Sequence, residues 1–244
     1  MILAVDSGNS RLKWGLHPGW GAGRGAEASW HSQGSLPAAE LARLEGEWSS
    51  LPQPRAIVVS NVAGAPAREA IEKALRRFEA APDWVVARAS QCGVTSAYAL
   101  PQQLGSDRWA ALIGARRLHQ GPCLVVNAGT ATTIDLLAAS GLFRGGAIIP
   151  GLELMKRSLA EGTAGLALVR GEFTEEPRST ADAIETGCLQ AQAGAIERMY
   201  AKLDAGGVCL LSGGAALRIA ARLAMPVRVV ENLALEGLVR IACP

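Results

Sequence analysis

A single carboxylate, Asp6, ends the apolar run Ile2–Val5 and is followed at once by Ser7-Gly8-Asn9-Ser10 and then by the cations Arg11 and Lys13. These residue types suit a phosphate chain and a metal ion. Backbone N–H groups in a tight turn form an anion-binding concavity, and Gly8 lets a ligand approach the main chain. Asp6 would meet Mg2+ chiefly through water, because that ion keeps much of its hydration shell. An ordinary hairpin, with Asp6 hydrogen-bonded to its own turn, accounts for the same residues. Taken alone, the stretch leaves both readings open.

A second candidate is Gly105-Ser106-Asp107-Arg108, which opens a helical pattern. A helix N-terminus offers unpaired N–H groups and a positive dipole end, suited to an anionic substrate group. The same end favours an ionised Asp107 able to accept a hydroxyl proton, and Arg108 has the fork to hold a carboxylate. Plain helix capping by Ser106 or Asp107 is the competing explanation. Ser212-Gly213-Gly214, after a buried strand, offers a backbone platform for a nucleotide or else a simple strand-to-helix turn. Gly145-Gly146 and Pro150-Gly151 read as bulge and turn residues.

Rival chemistries lack their signatures. No GxxxxGK[ST] occurs and no lysine follows a glycine, which excludes a P-loop. No GxGxxG follows the first strand, and His17, His31 and His119 accompany no nucleophile elbow. The five cysteines have no CxxC spacing and lie mostly in apolar runs, so they read as reduced, buried thiols.

The elements that must position these residues follow from periodicity. The apolar start and the alternation of Leu12, Trp14 and Leu16 against Arg11 and Lys13 predict a β-hairpin. A third strand is expected near Ala26–His31, a helix over Ala38–Trp48, a buried strand over Arg55–Asn61, a helix over Pro66–Phe78 and a strand at Trp84–Ala87. Gly105–His119 reads as a helix with Trp109, Leu112 and Ile113 on one face. Strands follow at Cys123–Asn127, Thr132–Ala138 and Leu142–Ile149, and helices at Leu152–Leu159 and Ala181–Leu203. Val208–Leu211 reads as a strand, Ala215–Leu223 as a helix, Val227–Val230 as a strand and Leu233–Ala242 as a terminal helix.

Within this pattern, Val126-Asn127-Ala128-Gly129-Thr130-Ala131 has the same form as Val5-Asp6-Ser7-Gly8-Asn9-Ser10, 121 positions later (127 − 6). Each ends a buried strand, turns on a glycine and leads to a return strand, a third strand and helices. Two similar halves, each contributing one hairpin to a cleft, are therefore expected. The boundary falls between residues 1–118 and 119–244.

The bulk numbers agree with such an α/β protein. At 49% hydrophobic and 19% charged, 244 residues supply ample core. The net charge of +2, with scattered cations, argues against nucleic-acid binding. The N-terminus reads as a strand and not a signal peptide, and no apolar run is long enough to cross a bilayer, so a cytoplasmic protein is expected.

Several motifs, in order, resemble type III pantothenate kinase. They are Asp6–Ser10, Tyr98–Arg108, Gly129–Thr133, Gly145–Gly151, Ser179-Thr180 and Ser212–Gly214. The resemblance runs from Met1 almost to the C-terminus. It implies an actin-like ATPase (acetate/sugar kinase–Hsp70–actin) fold of two ribonuclease H-like halves and a homodimer with sites at the subunit interface. It implies transfer of the ATP γ-phosphoryl group to pantothenate, the first step towards coenzyme A. It assigns the ATP phosphates to Asp6, Ser7, Gly8, Asn9, Ser10, Arg11, Leu12, Lys13 and Thr130, with Asp6 near Mg2+. It assigns pantothenate to Tyr98, Gly105, Ser106, Asp107, Arg108 and Thr180, the last from the partner subunit, and makes Asp107 the proton acceptor.

One departure stands out. Family members commonly carry Asp where this chain has Asn127, and that Asp ligates a monovalent cation, K+ or NH4+. Asn127 keeps a carbonyl oxygen without the charge, which puts cation dependence in doubt. Other readings are another small-molecule kinase of the superfamily, for which the Tyr98–Arg108 block would have no purpose, a transcription accessory protein, or a non-catalytic ATP module.

Overall fold

The computed structural model describes residues 1–19 and 29–243, which form two compact units. The first holds the chain up to Leu118 together with the segment from Leu233 onward, and the second spans His119–Asn232.

In the first unit β1 (Ile2–Ser7) and β2 (Arg11–His17) form the expected hairpin, and β3 (Ser32–Pro37) pairs antiparallel with β2. The third strand thus lies after the expected Ala26–His31, part of which falls outside the described residues. A 3-10 turn over Ala38–Arg43 runs into the short helix α1 (Leu44–Glu47), where one longer helix was expected. Strand β4 (Ala56–Asn61) pairs parallel with β1, and helix α2 (Ala65–Leu75) carries Pro66 in its first turn. Strand β5 (Pro82–Trp84) then pairs parallel with β4. Strands β6 (Ser90–Gln91) and β7 (Val94–Ser96), not anticipated from the sequence, form a small hairpin. Its turn residues Cys92 and Gly93 both have positive φ (50° and 81°). Helix α3 (Ser106–Leu118) completes the run. The sheet order is β3-β2-β1-β4-β5.

Strand alternation decides which side chains meet which layer. Leu3 and Val5 on β1, Leu12, Trp14 and Leu16 on β2, and Ile57 and Val59 on β4 form one buried cluster with Ile71, Ala74 and Leu75 of α2. Asp6, Lys13 and Ser60, directly opposite one another on β1, β2 and β4, therefore share the other face of the sheet.

The second unit repeats this plan. Strands β8 (Cys123–Ala128), β9 (Ala131–Leu137) and β10 (Leu142–Pro150) form an antiparallel meander. A bulge between Phe143 and Gly145, with Gly145 at φ +116°, realises the bulge read from Gly145-Gly146. Helices α4 (Leu152–Gly162) and α5 (Thr180–Tyr200) follow, then β11 (Val208–Ser212), α6 (Ala216–Ala220) and β12 (Val227–Val229). Strand β11 pairs parallel with β8 and β12 parallel with β11, so the order β10-β9-β8-β11-β12 matches β3-β2-β1-β4-β5 strand for strand. The core joins Leu124, Val126, Ile134 and Leu136 to Cys188, Leu189 and Ile196 of α5. Cys123, Cys188 and Cys209 are buried thiols, while Cys92 and Cys243 are half-buried.

The terminal helix α7 (Leu233–Ala242), assigned by sequence order to the second half, packs instead within the first unit, against α3. A Cβ on Gly237 would lie 1.8 Å from the Ala110 carbonyl oxygen, so the two backbones cross in close contact. Among the described residues no helix is long and apolar enough to cross a membrane.

Candidate active site

The hairpin β1–β2 sets Asp6 beside Lys13 and, through the parallel pairing with β4, beside Ser60. Gly8 N–H donates to the Arg11 carbonyl at 3.1 Å, which closes the turn and leaves Asn9 and Ser10 exposed at its tip. Asp6 Oδ1 is enclosed without a hydrogen-bond partner, and so is the hydroxyl of Ser7 beside it. Burial, and then the charge of Asp107, push the Asp6 carboxyl up from 3.8 to about 6, against the opposing pull of Ser60 and Lys13. Two carboxylates from separate elements thus lie close enough to interact.

Asp107 occupies the second position of α3, half-buried, with its Oδ1 accepting the Arg108 N–H at 2.8 Å. Ser106 is buried and its hydroxyl lies 3.0 Å from that of Ser60. Arg108 is only 8% exposed, so its guanidinium lies mostly inside the fold. Tyr98 lies half-buried on the segment leading to α3, its N–H donating to Ser96 Oγ at 3.2 Å.

In the second unit the equivalent turn is Gly129-Thr130, exposed, with Asn127 half-buried at the end of β8. Two distant backbone segments grip this turn. Gly151 N–H donates to the Thr130 carbonyl at 2.9 Å, and a Cβ on Gly151 would lie 2.1 Å from the Gly129 carbonyl oxygen. Ala215 N–H donates to the Ala128 carbonyl at 3.2 Å, and Gly213, at φ +103°, passes so close that a Cβ would lie 2.4 Å from the same oxygen. The motifs at 129–131, 150–151 and 212–214 therefore converge, and the glycines read earlier as turn residues serve as contact points. Thr132 Oγ1, just past the turn, is buried without a partner.

The helices behind these segments are joined by ions. Glu185 of α5 is 4% exposed and pairs with Lys156 of α4 at 3.3 Å and with Arg218 of α6. Glu153 of α4 joins the same cations at 2.7 and 3.0 Å. Gln192 of α5 donates to the Pro150 carbonyl at 2.7 Å.

Thr180 begins α5, exposed, after the cap Ser179, whose hydroxyl accepts the Asp182 N–H at 3.2 Å. Twelve residues separate Thr180 from Gln192, a rise of about 18 Å along the helix. Within the second unit Thr180 is thus well removed from the turn at Thr130.

As for metals, Asp6 Oδ1 is a hard, enclosed and unpartnered oxygen of the kind Mg2+ prefers. Among the described residues no group of three or more His, Cys, Asp or Glu side chains could hold a metal. Asn127 offers a neutral amide oxygen, a weaker donor for a monovalent cation than a carboxylate. Ser60 was passed over in the sequence, where it read only as a strand end. Its position opposite Asp6 depends on a parallel pairing that local pattern does not reveal.

A family model described as type III pantothenate kinase matches residues 2–202. The chain belongs to the type III pantothenate kinase family. Relatives bearing that family name include a protein of Aromatoleum aromaticum, 50% identical over 99% of this chain and 98% of its own length. Another, from Dechloromonas aromatica, is 47% identical over 99% of both chains. Among solved structures, a protein from Campylobacter jejuni named as a Baf family transcriptional activator aligns with TM-score 0.63 at 20% identity, over 99% of this chain and 97% of that one. A glucokinase from an Antarctic psychrotroph aligns with TM-score 0.54 at 13% identity, over 100% and 99%. At these identities the structures speak for the fold, which is that of the actin-like ATPases in two similar halves.

Proposed function

We propose that this chain transfers the γ-phosphoryl group of ATP to the primary hydroxyl of pantothenate, giving 4'-phosphopantothenate and ADP in the first step of coenzyme A biosynthesis. The observation that carries this reading is the full-length identity of about half to relatives named type III pantothenate kinase. The pairing of Asp6 with Asp107 supports it in chemical terms.

Phosphoryl transfer depends on positioning and charge neutralisation more than on covalent help. The hairpin residues Asp6, Ser7, Gly8, Asn9, Ser10, Arg11, Leu12 and Lys13, with Thr130, hold the phosphate chain. Asp6 would hold Mg2+, which would supply charge neutralisation along that chain. Tyr98 and Gly105 to Arg108 hold pantothenate, with Arg108 suited to its carboxylate. Asp107 accepts the proton of the attacking hydroxyl as its oxygen bonds to the γ-phosphorus and the bond to the bridging oxygen of ADP breaks. Thr180 reaches pantothenate from the second subunit of a homodimer, in keeping with its distance from the Thr130 turn within one chain. The enzyme works in the cytoplasm.

The test is transfer of label from γ-labelled ATP to pantothenate by the wild type and by Asp107→Asn. Loss of about 100-fold or more in kcat is expected for the variant. A folded wild type that transfers no label would remove the reaction, and a fully active variant would remove Asp107 as the base. The cation site is a separate expectation. With Asn127 in place of a carboxylate, K+ or NH4+ activation should be shallower than in Asn127→Asp, measured as the half-saturating salt concentration. Equal activation of both proteins would show that the side chain does not set the requirement.

A further inference from the structure

Ser60 has no part in the reaction outlined above, yet it contacts Asp6 on one side and Ser106, the neighbour of Asp107, on the other. Its place is set by strand pairing, which puts it opposite Asp6 across the parallel β1–β4 ladder. Alternation turns Ile57 and Val59 into the α2 core and leaves Ser60, fully buried, on the other face. There its Oγ lies 3.0 Å from Ser106 Oγ, and Ser106 is the first residue of α3, adjoining Asp107. The same hydroxyl also acts by hydrogen bonding on the Asp6 carboxylate, partly offsetting the effect of burial.

We propose that Ser60 is a positioning residue that ties Asp6 to the N-terminus of α3 and so sets the placement of the metal-side carboxylate relative to Asp107. The inference rests on the roles given to Asp6 and Asp107 under Proposed function. Two carboxylates facing each other inside a protein repel, and each favours a rotamer that points away. A hydroxyl that holds Asp6 and is itself held by Ser106 at the start of α3 supplies what neither carboxylate can. Each serine has one proton to donate and lone pairs to accept with. If Ser106 donates to Ser60 and Ser60 to Asp6, both hydroxyls are satisfied and Asp6 accepts as an anion. The chain then runs in one direction, from the helix that carries the base to the strand that carries the metal-side carboxylate. A merely space-filling serine would need none of this, and a small apolar residue would serve as well.

The substitutions Ser60→Thr and Ser60→Val separate the two cases, because Thr and Val have nearly the same shape and differ in the hydroxyl. For Ser60→Val, kcat should fall about tenfold and the half-saturating Mg2+ should rise several-fold, with KM for pantothenate within about twofold of wild type. Ser60→Thr should stay within about threefold of wild type in each quantity. Wild-type kcat and Mg2+ dependence in Ser60→Val, or an equal fall in both variants, would overturn the proposal. Should the larger residues unfold the protein, Ser60→Ala replaces them, with thermal melting as the control for folding. Calorimetric titration of ADP at a series of Mg2+ concentrations tests the tie without pantothenate. A wild type that binds Mg·ADP but phosphorylates no pantothenate would fail the functional reading alone. An unchanged Mg2+ dependence of ADP binding in Ser60→Ala would fail the positioning role.

Discussion

Asp6, proposed for the phosphate site, illustrates what burying a carboxylate costs at the level of one residue. Its carboxyl is enclosed, faces Asp107, and is raised from 3.8 to about 6. A folded pKa above the unfolded one means that the native state holds the proton more tightly. The stabilising contribution of the protonated form is therefore complete below pH 3.8 and lost as the pH rises to about 6. Above that range the ionised group opposes folding of the ligand-free protein. Asp6→Asn should accordingly abolish transfer while raising the stability of the ligand-free protein at pH 8 by up to about 3 kcal/mol, a gain that shrinks as the pH falls through this window. Denaturant melts of both proteins at pH 8 and pH 4.5 check this. A variant less stable than wild type at pH 8 would mean that Asp6 is held by favourable contacts and not strained by its burial.

At the scale of elements, each glycine-rich segment owes its form to what it packs against. Gly151, at φ −68° and ψ 167°, needs no unusual backbone conformation, so it is the space beside the Gly129 carbonyl that excludes a side chain. Gly213 combines the same crowding with a positive φ. Both segments lead straight into helices, α4 and α6, which the buried Glu185 joins through Lys156 and Arg218. Displacing either segment must therefore move the turn at Thr130 or strain this network. Gly151→Ala is expected to raise KM for ATP about tenfold or more while leaving KM for pantothenate within about twofold. Steady-state kinetics with each substrate varied in turn measures the split. Equal changes in both constants would point to a general loss of structure.

At the scale of the whole molecule, two units of one strand order each turn a hairpin beside buried polar atoms without a protein partner, Asp6 Oδ1 and Ser7 Oγ in one and Thr132 Oγ1 in the other. The proposed dimer supplies a further test. If Thr180 serves the site of its neighbour, Asp107→Asn and Thr180→Ala subunits complement each other. Denaturing and refolding an equal mixture of these inactive variants should restore about a quarter of wild-type activity, since half the dimers are mixed and each has one intact site. No recovery in a mixture shown to be dimeric would place Thr180 and Asp107 in the same chain's site or leave Thr180 without a role.

The sequence by itself determined the β1–β2 and β8–β9 hairpins, the strand alternation and the doubled topology, because these are recorded in local spacing. Alternation of Leu12, Trp14 and Leu16 sufficed to turn Lys13 to the same face as Asp6 once the hairpin register was known. Tertiary structure alone decided that Ser60 stands opposite Asp6, that Gly151 and Gly213 grip the turn at Ala128–Thr130, and that α7 returns to the first unit. Each of these joins residues tens to more than a hundred positions apart through parallel pairing or backbone contact. Such pairings leave no periodic trace: a serine that ends a strand or a glycine that opens a helix looks the same in sequence whether or not another backbone lies against it.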